Sequence, residues 1–263
     1  MTLLLTGLDH RPASHAAIAR ANPAAKLAVA AVISIALILT VDPVTAGVAL
    51  ALELAALPWC GLSPRNLFRS SWIILLGAVP AGLLTLLFGV DDGRTLLDLG
   101  PVTVTEGSLS SAVAITLRIL AIGLPGVVLL ATTDPTDLAD ALAQNLRLSH
   151  RFVLSALAAL RLVGLLTQEW QMLTMARRAR GYGRGLRQFP GQVFALLVIA
   201  IRRGTVLATT MEARGFGVDA PRTWARVSHF GRGDLLVALG GLGIAVLATA
   251  AGLTAGTWNL VLS

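Results

Sequence analysis

Residues 235–253 read LLVALGGLGIAVLATAAGL, nineteen positions without a charge. A helix needs about 20 predominantly apolar residues to cross a bilayer, so this stretch sets the fold class as an all-α membrane protein. Working outward, residues 23–41, 44–57, 72–88 and 108–131 are further candidate spans, about five in all. Composition agrees. Hydrophobic residues make up 55% of the 263 positions and charged residues 13%, against about 25% charged in a soluble domain. Asn22 and Pro23 suit the cap and first position of the first span. The second is short and interrupted by Glu53. The tight Asp42-Pro43 turn pairs it with the first.

The net charge is +7, supplied by arginine, since Lys26 is the one lysine. The basic residues sit between apolar stretches, which fits positive-inside topology rather than nucleic-acid binding. Arg11, Arg20 and Lys26 precede or open the first span, and Arg65 and Arg69 follow the second. Residues 89–107 instead carry Asp91, Asp92, Asp98 and Glu106 against Arg94. This places the N-terminus inside, the acidic loop outside and, with five spans, the C-terminus outside. Residues 1–12 lack the features of a cleaved secretory signal, so insertion is expected to rely on the first span. One cysteine, Cys60, excludes an internal disulfide. His10, His15, His150 and His229 have no metal-ligand spacing, and no cofactor is expected. Trp59, Trp72 and Trp258 near span ends suit an interfacial belt.

Residues 132–233 hold 14 arginines against six acidic residues and are expected in the cytoplasm. The organisation is therefore 1–131, four spans; 132–233, a cytoplasmic insertion; and 234–263, a last span. Within the insertion a helix starts at Asp134-Pro135. A second covers about 149–180, with Phe152, Ala156, Ala159, Val163, Leu166, Trp170 and Leu173 on one stripe. A third covers about 190–214, with Phe194, Leu197, Ile201, Gly204, Ala208 and Met211. These spacings are helical. At about 1.5 Å per residue the two long helices measure ~48 and ~37 Å. Gly164 and the Gly204/Ala208 pair either let helices cross closely or are chance glycines.

The second helix ends Ala179-Arg180-Gly181-Tyr182-Gly183 and the third Ala213-Arg214-Gly215-Phe216-Gly217. Arginine in a last turn followed by glycine is ordinary helix termination. Termination alone does not require the same alanine before, or an aromatic and a second glycine after. Two such tips 34 residues apart imply two equivalent sockets. An exposed guanidinium enters an acidic pocket with paired hydrogen bonds, and the ring beside it fills an apolar site.

Together with Asn22-Pro23-Ala24-Ala25-Lys26-Leu27, Thr132-Thr133-Asp134-Pro135 and Gln168-Glu169, these endings resemble the T component of energy-coupling factor (ECF) transporters, the EcfT/CbiQ family. The resemblance runs nearly end to end, and 211–216 is its most specific stretch. It implies a membrane scaffold in a bacterial plasma membrane that joins two EcfA-type ATP-binding subunits to a substrate-binding S component for vitamin or metal-ion uptake. The long helices would then be coupling helices, with Ala179, Arg180, Gly181, Ala213, Arg214 and Gly215 docking the ATPases. The arginines around the first tip, Arg177, Arg178, Arg184 and Arg187, exceed the family pattern. They would strengthen docking or touch anionic lipid headgroups. No Gly-Lys-Ser/Thr phosphate loop occurs, so ATP hydrolysis is expected in partners and the chain is not expected to be an enzyme. The alternative is another membrane transporter or channel with an amphipathic cytoplasmic collar.

One more pairing follows from depth. Glu53 and Arg118 lie nine and ten steps from the starts of their spans, or ~14 and ~15 Å deep. A charge there costs about 2.5–3.5 kcal/mol on insertion scales. The expectation is an intramembrane ion pair, against Arg118 facing the S component or water.

Overall fold

Every span read from hydropathy is a helix in the structure, a computed structural model that describes residues 17–40, 42–61, 64–89, 93–98, 103–181, 189–218, 224 and 226–257. The helices are α1 (Ala17–Arg20), α2 (Pro23–Ile38), α3 (Pro43–Ala56), α4 (Pro64–Phe88), α5 (Glu106–Thr132), α6 (Pro135–Gln144), α7 (His150–Ala179), α8 (Phe189–Ala213) and α9 (Arg232–Thr254). A 3-10 turn, Leu57–Cys60, extends α3. The acidic loop contains an unforeseen antiparallel hairpin, β1 (Thr95–Asp98) with β2 (Thr103–Thr105).

Local chemistry sets the helix starts. Asn22 Oδ1 accepts from the Ala24 N–H (2.9 Å), with Pro23 in the first turn. Asp42 Oδ2 accepts from the Thr45 N–H (2.9 Å) and hydroxyl (2.6 Å). Thr105 and Ser108 form a reciprocal capping box at α5, and Asp134 Oδ1 accepts from the Thr136 N–H (2.6 Å) at α6. Each satisfies a backbone donor that a helix start leaves orphaned.

Among the described residues, six stretches are long and apolar enough to cross a membrane: Pro43–Cys60, Ser71–Phe88, Glu106–Thr132, His150–Ala179, Phe189–Ala213 and Arg232–Thr254. The chain is a multi-pass all-α membrane protein. Two differences from the sequence reading emerge. The first span, α2, is a 16-residue helix and falls short of the usual length, while α7 and α8 qualify by length and composition.

The described chain divides into two compact units. One comprises residues 17–138 and 228–257, the other residues 139–227. In the first, α5 packs on α4, α3 and α2, and α9 packs on α2 and α3. Its core is Ile33, Leu37, Ala46, Ala49, Ala121 and Ala248. Small residues bring backbones together, the main way helices associate in lipid. At Gly241 of α9 a β-carbon would sit 2.6 Å from Val29 of α2, so only glycine permits that approach.

Candidate docking tips and the polar junction

The two repeated endings close alike. Arg180 is the C-cap of α7, and its N–H donates to the carbonyls of Ala176 (3.3 Å) and Arg177 (3.2 Å). The Arg214 N–H donates to Thr210 (3.2 Å) and Met211 (3.1 Å). Each is followed by a glycine in the left-handed region, Gly181 at φ +79° and Gly215 at +74°, which L side chains reach only with strain. The Gly181 N–H donates to Arg178 O (3.0 Å) and the Gly215 N–H to Glu212 O (2.9 Å). At the second tip the Phe216 N–H also donates to Met211 O (2.9 Å), completing a Schellman cap. Gly217 follows at φ +97°. Arg180 and Arg214 are both exposed, each just past the last residue of its helix.

The two helices that carry the tips run in opposite senses. The Trp170 ring meets Phe189 edge-on, centroids 5.8 Å apart. Gln192 donates to the Thr174 hydroxyl, and Arg203 pairs with Glu169. Arg151, in the first turn of α7, donates to the Gly217 carbonyl beyond α8. The start of α8 thus lies against the last turns of α7, and the end of α8 against the start of α7. Arg180 and Arg214 therefore sit at opposite ends of one helix pair. The 25 residues of α8 put them on the order of 40 Å apart. A β-carbon at Gly164 or Gly204 meets nothing within 4 Å, so these glycines do not mark a close crossing.

Glu53 and Arg118 are not brought together. Both Glu53 carboxylate oxygens are buried without a hydrogen-bond partner. Arg118 instead donates to the Thr40 carbonyl, with Asp42 as its electrostatic partner. The register explains the difference. Lys26 bonds Thr132, and Arg118 bonds Thr40. Both Lys26 to Thr40 and Thr132 back to Arg118 are 14 residues, or ~21 Å of helix. Antiparallel α2 and α5 are pinned at both ends of that interval. Arg118 thus lies level with the α2–α3 turn, whereas Glu53 is eleven residues beyond Asp42 along α3.

A polar junction holds the other end of the same helices, and its assembly was not foreseen. Lys26, nine-tenths buried, donates through Nζ to Ala19 O (2.9 Å), Thr132 O (3.1 Å), and the hydroxyls of Thr132 (3.1 Å) and Thr133 (3.3 Å). It supplies a cation and donors to the C-terminus of α5, where helix carbonyls lack partners. Asn22 Nδ2 donates to Ser228 Oγ (2.9 Å) and His229 O (3.0 Å). The Asn22 N–H donates to Asp234 Oδ1 (2.6 Å), and Asp234 Oδ2 accepts from the Gly231 N–H (2.7 Å). One turn of α2 thereby joins the end of α5 to the start of α9.

Arg11, His10, His15, Asp91, Asp92, Tyr182, Gly183, Arg184, Arg187 and Trp258 lie outside the described residues, as do the side chains of Arg65, Arg69 and Asp98. His150 and His229 join no group of three metal-binding side chains among the described residues.

The family described as cobalt transport protein, CbiQ, matches residues 15–223. Among curated proteins, the energy-coupling factor transporter transmembrane protein EcfT 1 of Listeria monocytogenes is 32% identical over 181 residues, covering 64% of this chain and 66% of that relative. EcfT of Limosilactobacillus fermentum is 31% identical over 191 residues, 67% of each chain. This chain thus spans about two thirds of the length of these relatives. A putative ABC transporter ATP-binding protein of Bifidobacterium longum is 26% identical over 239 residues, covering 86% of this chain and 30% of the relative.

Proposed function

The chain belongs to the cobalt transport protein family CbiQ, and from that premise we propose that it is the transmembrane energy-coupling component of an importer, linking two ATP-binding subunits to a substrate-binding membrane partner. The observation that carries this reading is the pair of exposed arginine tips with matching caps at opposite ends of α7 and α8. Matching tips suit matching sockets, as two homologous ATPases offer. Each guanidinium enters an acidic pocket as a bidentate donor. The flanking apolar side chains, Met175 and Phe216, pack beside it.

The chain has no phosphate-binding loop, so hydrolysis falls to partners. The Bifidobacterium relative supports this division of labour. It is named as an ATP-binding protein, and the likeness to this chain covers 30% of it. The ATP-binding portion implied by its name then has the remainder. By the same reading, residues 132–233 form the cytoplasmic coupling region, and residues 1–131 and 234–263 form the membrane part of a bacterial plasma-membrane protein. The cargo is a vitamin or metal ion chosen by the partner S component.

The apolar length of α7 and α8 raises the question whether they are spans. Their charges argue otherwise. Arg202 and Arg203 lie at the middle of α8, and Arg161 and Glu169 lie within α7. At about 2.5–3.5 kcal/mol per charge at the bilayer centre, crossing is unfavourable beside docking at the membrane surface.

The test is co-purification of candidate ATPases with the membrane-inserted chain. Arg180→Glu with Arg214→Glu replaces two attractions by repulsions. Removing one partner of a buried, hydrogen-bonded charge pair costs about 2–5 kcal/mol, so the double variant is expected to release both ATPases while remaining in the membrane. Undiminished binding by the double variant overturns the docking assignment.

A further inference from the structure

The covalent path between the two units runs out through residues 133–138 and returns through residues 228–231. Both connections are tied to one turn of α2. Lys26 holds Thr132 and Thr133 on the outgoing side, and Asn22 holds Ser228 and His229 on the returning side. Asp234, which opens α9, closes the arrangement on the Asn22 N–H. Asn22, Lys26 and Asp234 are each nine-tenths buried, where hydrogen bonds are costly to break.

We propose that Asn22 and Lys26 are positioning residues for energy coupling. They form the pivot through which movement of residues 139–227 reaches α2, α5 and α9 together. This rests on the transporter reading above and goes beyond it. Untied connections would behave as linkers, and motion of α7 and α8 would be taken up by soft backbone dihedrals. Tied to a single turn, neither connection moves without shifting the start of α2, and through it the other. Motion is then passed on because α2 is itself locked to its neighbours. Val29 fits against Gly241 one and two turns further on, and Thr40 receives Arg118 at the far end.

The experiment uses the complete transporter in proteoliposomes and reads uptake per ATP hydrolysed. Lys26→Met keeps the aliphatic stem and removes all donors. Lys26→Arg retains donors able to reach the same carbonyls. Asn22→Ser retains a good helix cap but cannot bridge to Ser228 and His229. Lys26→Met and Asn22→Ser are expected to keep both ATPases bound and hydrolysis within twofold, while uptake per ATP falls at least tenfold. Lys26→Arg is expected to recover most of it. An unchanged ratio in an assembled Asn22→Ser complex overturns the pivot, and so do parallel losses of uptake and hydrolysis. If Lys26→Met does not assemble, Asn22→Ser decides alone. Failure of the wild-type chain to bind ATPases would instead strike the transporter reading.

Discussion

The two units hold their helices by opposite means. In the first, α2, α5 and α9 share a core of Ile33, Leu37, Ala121 and Ala248; polar ties pin α2 to α5 at both ends and to α9 at its start. In the second, α7 buries a single side chain, Val153, and α8 buries none among the described residues. That pair is held by the reach of long side chains: Trp170 to Phe189, Gln192 to Thr174 and Arg203 to Glu169. Phe194, Leu197 and Ile201 remain exposed along α8. The first unit has a buried core shared among its helices. The second presents apolar faces that its own chain does not cover, which is what a surface built to engage other subunits needs.

Glycine offers the sharpest way to break that comparison. Gly241→Leu inserts a side chain where a β-carbon already comes 2.6 Å from Val29. Overpacking a tight core typically costs about 1–3 kcal/mol, and here the obstruction is another helix. The variant is expected at or above that upper bound, seen as a large loss of thermal stability in detergent. Gly204→Leu, the same change on α8, meets open space. It should be neutral, or stabilising by up to about 1 kcal/mol from helix propensity. Equal losses at the two positions would erase the distinction between the units.

Much of this was legible in local sequence. Apolar runs and cap pairs such as Asn22-Pro23, Asp42-Pro43 and Asp134-Pro135 announce helices and their starts, because the hydrogen bonds involved span only a few residues. The repeated Arg-Gly tips were visible for the same reason, and the left-handed φ at Gly181 and Gly215 is what their glycines imply. The polar junction was not legible. Asn22 and Asp234 are 212 residues apart, and Lys26 and Thr132 are 106 apart, so no local pattern records their meeting. The hairpin of Thr95–Asp98 and Thr103–Thr105 is not legible in the sequence because strands this short have no alternation to read. Glu53 and Arg118 were misplaced by counting depth from helix starts. That assumes level starts, whereas α5 has 27 residues and α3 has 14.

The far polar tie sharpens the comparison at intermediate size. Arg118 fastens α5 to the α2–α3 turn through Thr40, beside Asp42. A hydrogen bond to a charged group contributes about 1.5–3 kcal/mol. Arg118→Gln should lower stability by that order, measured by the same thermal assay. The equivalent loss of a charged tie in the second unit, Arg203→Gln, should cost less. Its partner Glu169 and Arg203 itself are partly exposed, and exposed pairs contribute about 0–1 kcal/mol.

The smallest expected effect belongs to Glu53, and its smallness is informative. Its carboxylate oxygens are buried and have no partner, so Glu53→Gln removes no hydrogen bond and preserves volume. One buried, unpartnered polar side chain replaces another, so the expected change in stability is smaller than the about 1.5–3 kcal/mol at Arg118. Combining it with Arg118→Gln makes a double-mutant cycle. Residues that share a bond or network couple by about 0.5–3 kcal/mol, while independent sites add to within about 0.3–0.5 kcal/mol. Additivity is expected, because Arg118 spends its charge at the turn and Glu53 sits further along α3. Coupling above about 1 kcal/mol would restore the ion pair suggested by helix depth. It would also mean that α3 and α5 share a charged tie midway, not only the ties that bracket α2.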